Sequence, residues 1–286
     1  MRTAVPHGPF YFDEILDSAA GAEVVEVGDD VGGTVGRCIY CGSTEPPLSD
    51  EHIVPLGLGG RVVLRAASCS PCQTITGRFE QDVLRKAGAA FRSGMKMPTR
   101  RPAERPSSQR YLVTNGGVES ELEVPIDDYI PMFGLPTFRP PAALTQESRS
   151  DLAFTGLRYI QPLSRTARYN SLEELGRGLG VEGIRLQQPR IPMASVARLA
   201  AKAAYGMCIA ALGPDAFERV HVLPVILKGE EVGTWVGGAD TPRFNLVEPG
   251  DHIITVDTFG GEVHSTVKLL AHMGGPEYYV VVGRLR

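Results

Sequence analysis

Several broad classes are excluded by what the chain lacks. Its 286 residues include only five cysteines, and the leader that a disulfide-dense secreted scaffold would require is not expected. Asp13, Glu14 and Asp17 interrupt the N-terminal stretch before an apolar core forms, so no secretory signal is expected. No window approaches the ~18 uncharged apolar residues that span a bilayer. The most apolar helical stretch, Val196 to Leu212, carries Arg198 and Lys202. No internal repeat is present. With 43% hydrophobic and 22% charged residues, the composition is not that of a collagen-like, mucin-like or mostly disordered chain. The expectation is a soluble, cytoplasmic protein of one large domain or two ordinary ones.

Charge is unevenly spread. The net charge is −4, yet residues 37–110 hold 12 Lys and Arg against 6 Asp and Glu, while the remainder holds 17 against 27. A polyanion would be drawn to that one quarter of the chain.

Four of the five cysteines form two pairs, Cys38-x-x-Cys41 and Cys69-x-x-Cys72, separated by 27 residues. This is the ligand spacing of a tetrahedral zinc site, with Zn–S bonds of about 2.3 Å. Redox dithiols follow a strand in a βαβ pattern, which is absent here. Cys208, in the Ala-rich helix, reads as a small buried hydrophobe.

The expected organisation is an N-terminal extension (1–36), a zinc-stapled segment (37–94), a basic Pro/Arg linker (95–109) and an α+β C-terminal domain (110–286). Asn115-Gly116-Gly117 between two alternating runs signals a hairpin. Ser171 and Glu174 form a capping box ahead of a short helix. The clearest helix spans about 194–212 and stops at Gly213-Pro214. Strands are expected at 252–257, 262–270 and 277–282.

Between the cysteine pairs lies Ser49-Asp50-Glu51-His52-Ile53-Val54-Pro55-Leu56-Gly57-Leu58-Gly59-Gly60. Its apolar pair suggests a strand end, its glycines a tight return, and Arg61 to Leu64 a second strand. Ser70 and Pro71 then suit the cap and first residue of a helix with an apolar line at Ile75, Phe79 and Val83. The sequence thus predicts β-β-α, one zinc joining hairpin start to helix start.

Cys-x-x-Cys, Glu-His-Ile-Val-Pro, Gly-Gly and Cys-x-x-Cys together resemble the HNH (ββα-metal) endonuclease family in its zinc-stapled form, over about residues 37–86. The resemblance implies DNA phosphodiester cleavage with a second, catalytic divalent ion, Mg²⁺ or Mn²⁺. Such hydrolysis needs a base to deprotonate water and a cation near the scissile oxygens. His52 titrates in the right range for that base, and Glu51 offers a hard oxygen ligand. Neighbours in a regular strand face opposite ways, so Asp50, two residues from His52, competes with Glu51 as ligand. The family pattern favours Glu51, given a bend in the strand.

Two departures stand out. Val63 occupies the slot where the family carries asparagine, and Gln73 stands where it carries His or Asn. Gln73 either ligates the catalytic ion or turns back to Ser70 in a capping box. Glu80, on the same helix, is a further acid near the metal or a solvated residue. Arg61, Arg65, Arg78, Arg85 and Lys86 are candidate phosphate contacts, extended by Arg100, Arg101 and Arg105 of the linker. His7, His221, His252, His264 and His272 read as surface or core.

The expected function is therefore a metal-dependent HNH endonuclease acting on DNA, with RNA as an alternative substrate and a homodimer through the C-terminal domain as an option. The rival readings are a non-catalytic zinc module that binds nucleic acid or a protein, and a chain whose C-terminal domain is the main active unit.

Overall fold

The computed structural model describes residues 33–145, 147–161, 168–186, 191–239 and 251–286. The helical pattern near Ile15 and most of the N-terminal extension fall outside them. The described residues form an α+β fold in which every named strand pair is antiparallel.

The hairpin expected between the cysteine pairs is present. β1 (Leu48–His52) pairs with β2 (Val63–Cys69), Leu48 opposite Cys69 and His52 opposite Val63. Its register shifts between Ser49 and Glu51. This bulge is accommodated by Ala66 at a φ of 48°, whose N–H donates to Asp50 Oδ1 at 3.0 Å. The chain returns through a single 3-10 turn, Leu56–Leu58, closed by Gly59 at a φ of 90°. Gly60 has no room for a side chain, since a Cβ there would lie 1.9 Å from the Val54 carbonyl oxygen.

α1 (Ser70–Gln81) follows β2 directly. Its N-cap is Cys69, with extended backbone, so Ser70 is the first helical residue and Pro71 the second, where the missing proline N–H leaves no intrahelical bond unmade. This corrects the predicted start by one residue. The helix continues through a π-turn, Asp82–Ala87, in which Gly88 N–H donates to the Val83 carbonyl at 2.9 Å. α2 (Ala89–Gly94) comes next. Its Arg92 donates to the carbonyls of Gly57 (2.7 Å), Leu84 (3.3 Å) and Pro98 (3.2 Å), tying hairpin loop, helix and linker together.

In chain order there follow β3 (Ser108–Asn115), β4 (Val118–Pro125), β5 (Phe133–Phe138), α3 (Ala142–Thr145), β6 (Phe154–Ile160), α4 (Leu172–Leu179) and β7 (Gly183–Leu186). Strands pair in the order β4-β3-β7, with a small core of Tyr111, Val113, Val124, Tyr129, Ile130 and Leu175. The Asn115-Gly116-Gly117 turn closes β3–β4 as expected. So does the α4 cap, where Glu174 N–H donates to Ser171 Oγ at 3.1 Å.

α5 (Met193–Leu212) is the central helix. Residues 217–239 then supply β8 (Phe217–Glu218), α6 (Val222–Lys228), α7 (Val232–Trp235) and β9 (Val236–Gly238). The final sheet contains β10 (His252–Phe259), β11 (Glu262–Leu269) and β12 (Glu277–Leu285) in the order β10-β11-β12-β8, with β9 also on β12. By length and composition α5 passes for a membrane span, but 78% of that stretch is buried inside the protein. Its alanines let it approach the sheet on one side and α1 on the other. Ile53 packs against Gly206, where a Cβ would come within 3.3 Å. As a result the cysteine-paired segment and the C-terminal sheet share one hydrophobic core, including Ile39, Ile53, Phe79, Val83, Leu199, Met207, Cys208 and Val267.

His252, at the start of β10, fastens the hairpin loop to that sheet. Its Nε2 lies 3.0 Å from the Leu58 carbonyl oxygen, and its Nδ1 accepts from Leu270 N–H at 3.1 Å, an arrangement that suits the neutral ring. Burial pulls its pKa down to about 4, against the opposing effects of the Leu58 carbonyl and Asp251. The unfolded side chain takes its proton near 6.5. The stabilisation is therefore whole above that value and is lost as the pH falls through the folded pKa, amounting to about 3 kcal/mol. Denaturant midpoints measured from pH 7 to pH 4 should fall more steeply for the native chain than for His252→Gln; parallel curves would refute this role.

Candidate metal centre and adjoining charge cluster

The four paired cysteines converge. Cys38 and Cys41 lie in a turn closed by Gly42 N–H donating to the Cys38 carbonyl at 2.8 Å. Cys69 ends β2, and Cys72 sits in the first turn of α1. All four sulfurs lie within 4.8 Å of one another, with Cys41 Sγ and Cys69 Sγ 3.5 Å apart. A tetrahedron of Zn–S bonds of about 2.3 Å has an edge of about 3.8 Å, so the donor set fits a structural zinc. None of the cysteines is in a disulfide. Burial pushes the Cys38 thiol up, yet hydrogen bonds from the backbone of Cys41, Cys69 and Tyr40 prevail and bring it down to about 7, whereas burial holds the Cys69 and Cys72 thiols above the ordinary value; Cys38 is thus the readiest thiolate of the set. The knuckle is anchored from the far side. The Ile39 carbonyl accepts from Tyr205 Oη on α5 and from Arg219 at 2.9 Å.

Glu51 and His52 behave differently from the expected pair. The bend that the resemblance required exists, but it falls at Asp50, before Glu51. Glu51 and His52 therefore sit in consecutive regular pairs, opposite Leu64 and Val63, and alternation sends them to opposite faces. Glu51 is buried at 6% exposure. Asp50 is exposed, bonded to Ala66 N–H and 3.9 Å from Arg65. Glu51 therefore does not share a face with His52 in the way a common ion requires, and Asp50 is engaged by the Ala66 N–H.

The partner of Glu51 is a residue that sequence reasoning passed over. Lys202 Nζ, from α5, lies 2.6 Å from Glu51 Oε1 and 2.7 Å from Glu80 Oε1, and it also donates to the His52 carbonyl. An ammonium has three donors, and all three are used. Side-chain exposures of 1% for Lys202, 7% for Glu51 and 18% for Glu80 make this a nearly dry cluster. Burial pulls the Lys202 pKa down, but Glu51 and Glu80 together outweigh it and hold it above the ordinary lysine value. The residue stays charged. Its only sequence signal was a lysine amid alanines on an otherwise apolar helix.

These observations do not fit the implied catalytic ion. Both acids that face the position are bonded to an ammonium. Gln73 is exposed four residues beyond the N-cap, one too far for the capping box, and no hydrogen bond from its side chain is present among the described residues. Val63 is half-buried and offers no donor. His52 is half-buried, and burial, then Lys202, lower its pKa, against Glu51 and Glu80; at neutral pH the ring is uncharged.

Arg61, Arg78 and Arg85 are exposed and carry no ion pair among the described residues. Lys86 is exposed but bonded to Asp82 at 2.6 Å. In the linker, Arg101 pairs with Glu104 at 3.2 Å, and Arg105 donates to the Lys96 and Met97 carbonyls. Arg100 remains exposed. Cys208 is fully buried, as expected for a core residue. No protein-family model matches the chain, and no curated protein or solved structure matches it either.

Purified without chelators, the chain is expected to carry about one zinc, and Cys38→Ser or Cys72→Ser to lose most of it along with thermal stability. Elemental analysis finding no zinc in the folded native chain would remove the metal centre.

Proposed function

We propose that the zinc-stapled ββα segment is a nucleic-acid-binding module that holds the phosphate backbone without cutting it. The observation that carries this reading is the withdrawal of Glu51, the acid expected to hold a catalytic ion, into an ion pair with Lys202. Hydrolysis of a phosphodiester calls for a cation at its oxygens, and Glu51, the acid that would hold one, is bonded to Lys202 instead. Binding asks for less. Arg78 lies on α1 and Arg85 on the π-turn that continues it, Arg61 precedes β2, and all three are exposed with no ion pair among the described residues. The excess of positive charge in residues 37–110 favours a polyanion at this segment. Zinc, in this reading, is scaffold: it fixes the hairpin against the helix that carries the basic residues.

A second reading is the metal-dependent HNH endonuclease with His52 as general base. The observation in its favour is His52 itself, accessible in part and uncharged at neutral pH, as a base must be.

Both are decided by one set of measurements on duplex DNA and matched RNA. Mobility shifts should give binding whose dependence of log K on log salt flattens by about 2 in Arg78→Ala/Arg85→Ala, the loss expected for two phosphate contacts. Supercoiled plasmid should stay intact with Mg²⁺ or Mn²⁺. Nicking by the native chain that His52→Ala abolishes would establish the endonuclease instead, and an unchanged salt dependence would sink the proposed binding face.

A further inference from the structure

The Lys202 cluster has the composition of a hard-cation site. Two carboxylates and one carbonyl, supplied by β1 and α1, converge on one point, and oxygen donors of this kind are those that divalent Mg²⁺ and Mn²⁺ select. Their common guest is an ammonium contributed by α5, about 150 residues further along the chain. One positive charge meets two negative ones, so the cluster retains a net negative charge. Tyr40 lies within its field: its hydroxyl is buried without a hydrogen-bond partner, and burial, then Glu51 and Glu80, push its pKa well above the ordinary phenol value.

We infer that Lys202 Nζ is a tethered cation occupying a divalent-ion position built from Glu51, Glu80 and the His52 carbonyl, and that removing the ammonium opens this position to Mn²⁺ or Mg²⁺. The charge arithmetic favours the exchange. Two carboxylates exactly neutralise one divalent ion, whereas the lysine leaves one carboxylate uncompensated. While the ammonium is in place, no divalent ion enters, because two cations within bonding distance of the same oxygens repel each other strongly in a buried setting. Position and charge are thus supplied by the fold itself, and β1, α1 and α5 are held together without dependence on metal supply. The inference deepens the non-cutting reading and rests on the same ion pair. It does not require that nucleic acid be the ligand.

The test is Mn²⁺ binding, followed by electron paramagnetic resonance, to the zinc-loaded full chain, to Lys202→Ala, and to Lys202→Ala/Glu51→Gln. Lys202→Ala should bind one Mn²⁺ at least ~10-fold more tightly than the native chain, a difference of about 1.4 kcal/mol, and the double variant should lose it. Melting curves cover the case of a poorly folded variant: Mn²⁺ should raise the melting temperature of Lys202→Ala, or of Lys202→Met, and leave the native chain unmoved. The inference is overturned if the folded lysine variants take up no Mn²⁺. It is equally overturned if the native chain binds Mn²⁺ in a way that Glu51→Gln abolishes. Since DNA binding is read separately by mobility shift, failure here and failure of the binding module are distinguishable.

Discussion

The Lys202 ammonium ties together three elements that already share one hydrophobic core. It takes a carboxylate from β1, a second from α1 and the His52 carbonyl, and it does so where water hardly reaches. A buried charge missing one partner is costly, about 3–5 kcal/mol when a pair is broken. The constraint therefore runs in both directions. With Lys202 in place, Glu51 must face α5, and with Glu51 there, the hairpin must lie against α5 in one register. The Ile53–Gly206 contact and the Tyr205 and Arg219 bonds to the Ile39 carbonyl follow from the same docking.

The four-cysteine cluster and the lysine cluster divide the work. Four sulfurs that fit one zinc bring the start of the hairpin to the start of the helix, which is a local matter of some thirty residues. The lysine fixes that unit against a helix from the other end of the chain. Between them they leave Arg78 on α1 and Arg85 on the π-turn that continues it exposed and, among the described residues, without an ion pair. A rigid basic helix suits backbone contacts, which set position without reading sequence.

Parts of the site were open to reading from sequence and parts were not. The cysteine spacing, the glycine return at Gly59-Gly60 and the apolar line through Phe79 and Val83 depend on neighbours within a few residues, so their geometry is written in the local pattern. The capping box at Ser70 failed for an equally local reason: the helix begins one residue earlier, at Ser70 itself, and Cys69, the last residue of β2, takes the cap. Glu51 is expected from the sequence to hold a cation, and Glu80 reads there either as a further acid near it or as a solvated residue. The identity of that cation is not legible, because nothing within one segment distinguishes an awaited metal ion from a lysine arriving from α5. His252 was likewise unreadable as a bridge between Leu58 and Leu270, since both of its partners are set by packing.

From the sequence alone came the four-cysteine cluster, the β-β-α order, the Ala-rich central helix and the closing strands, because spacing, periodicity and turn residues act over short distances. Tertiary structure decided which face Glu51 shows, where the bulge in β1 falls, which of the basic residues are engaged and what fills the space between two acids. Electrostatic partners are chosen through space by burial and by the approach of distant elements, and a linear pattern carries no record of that choice.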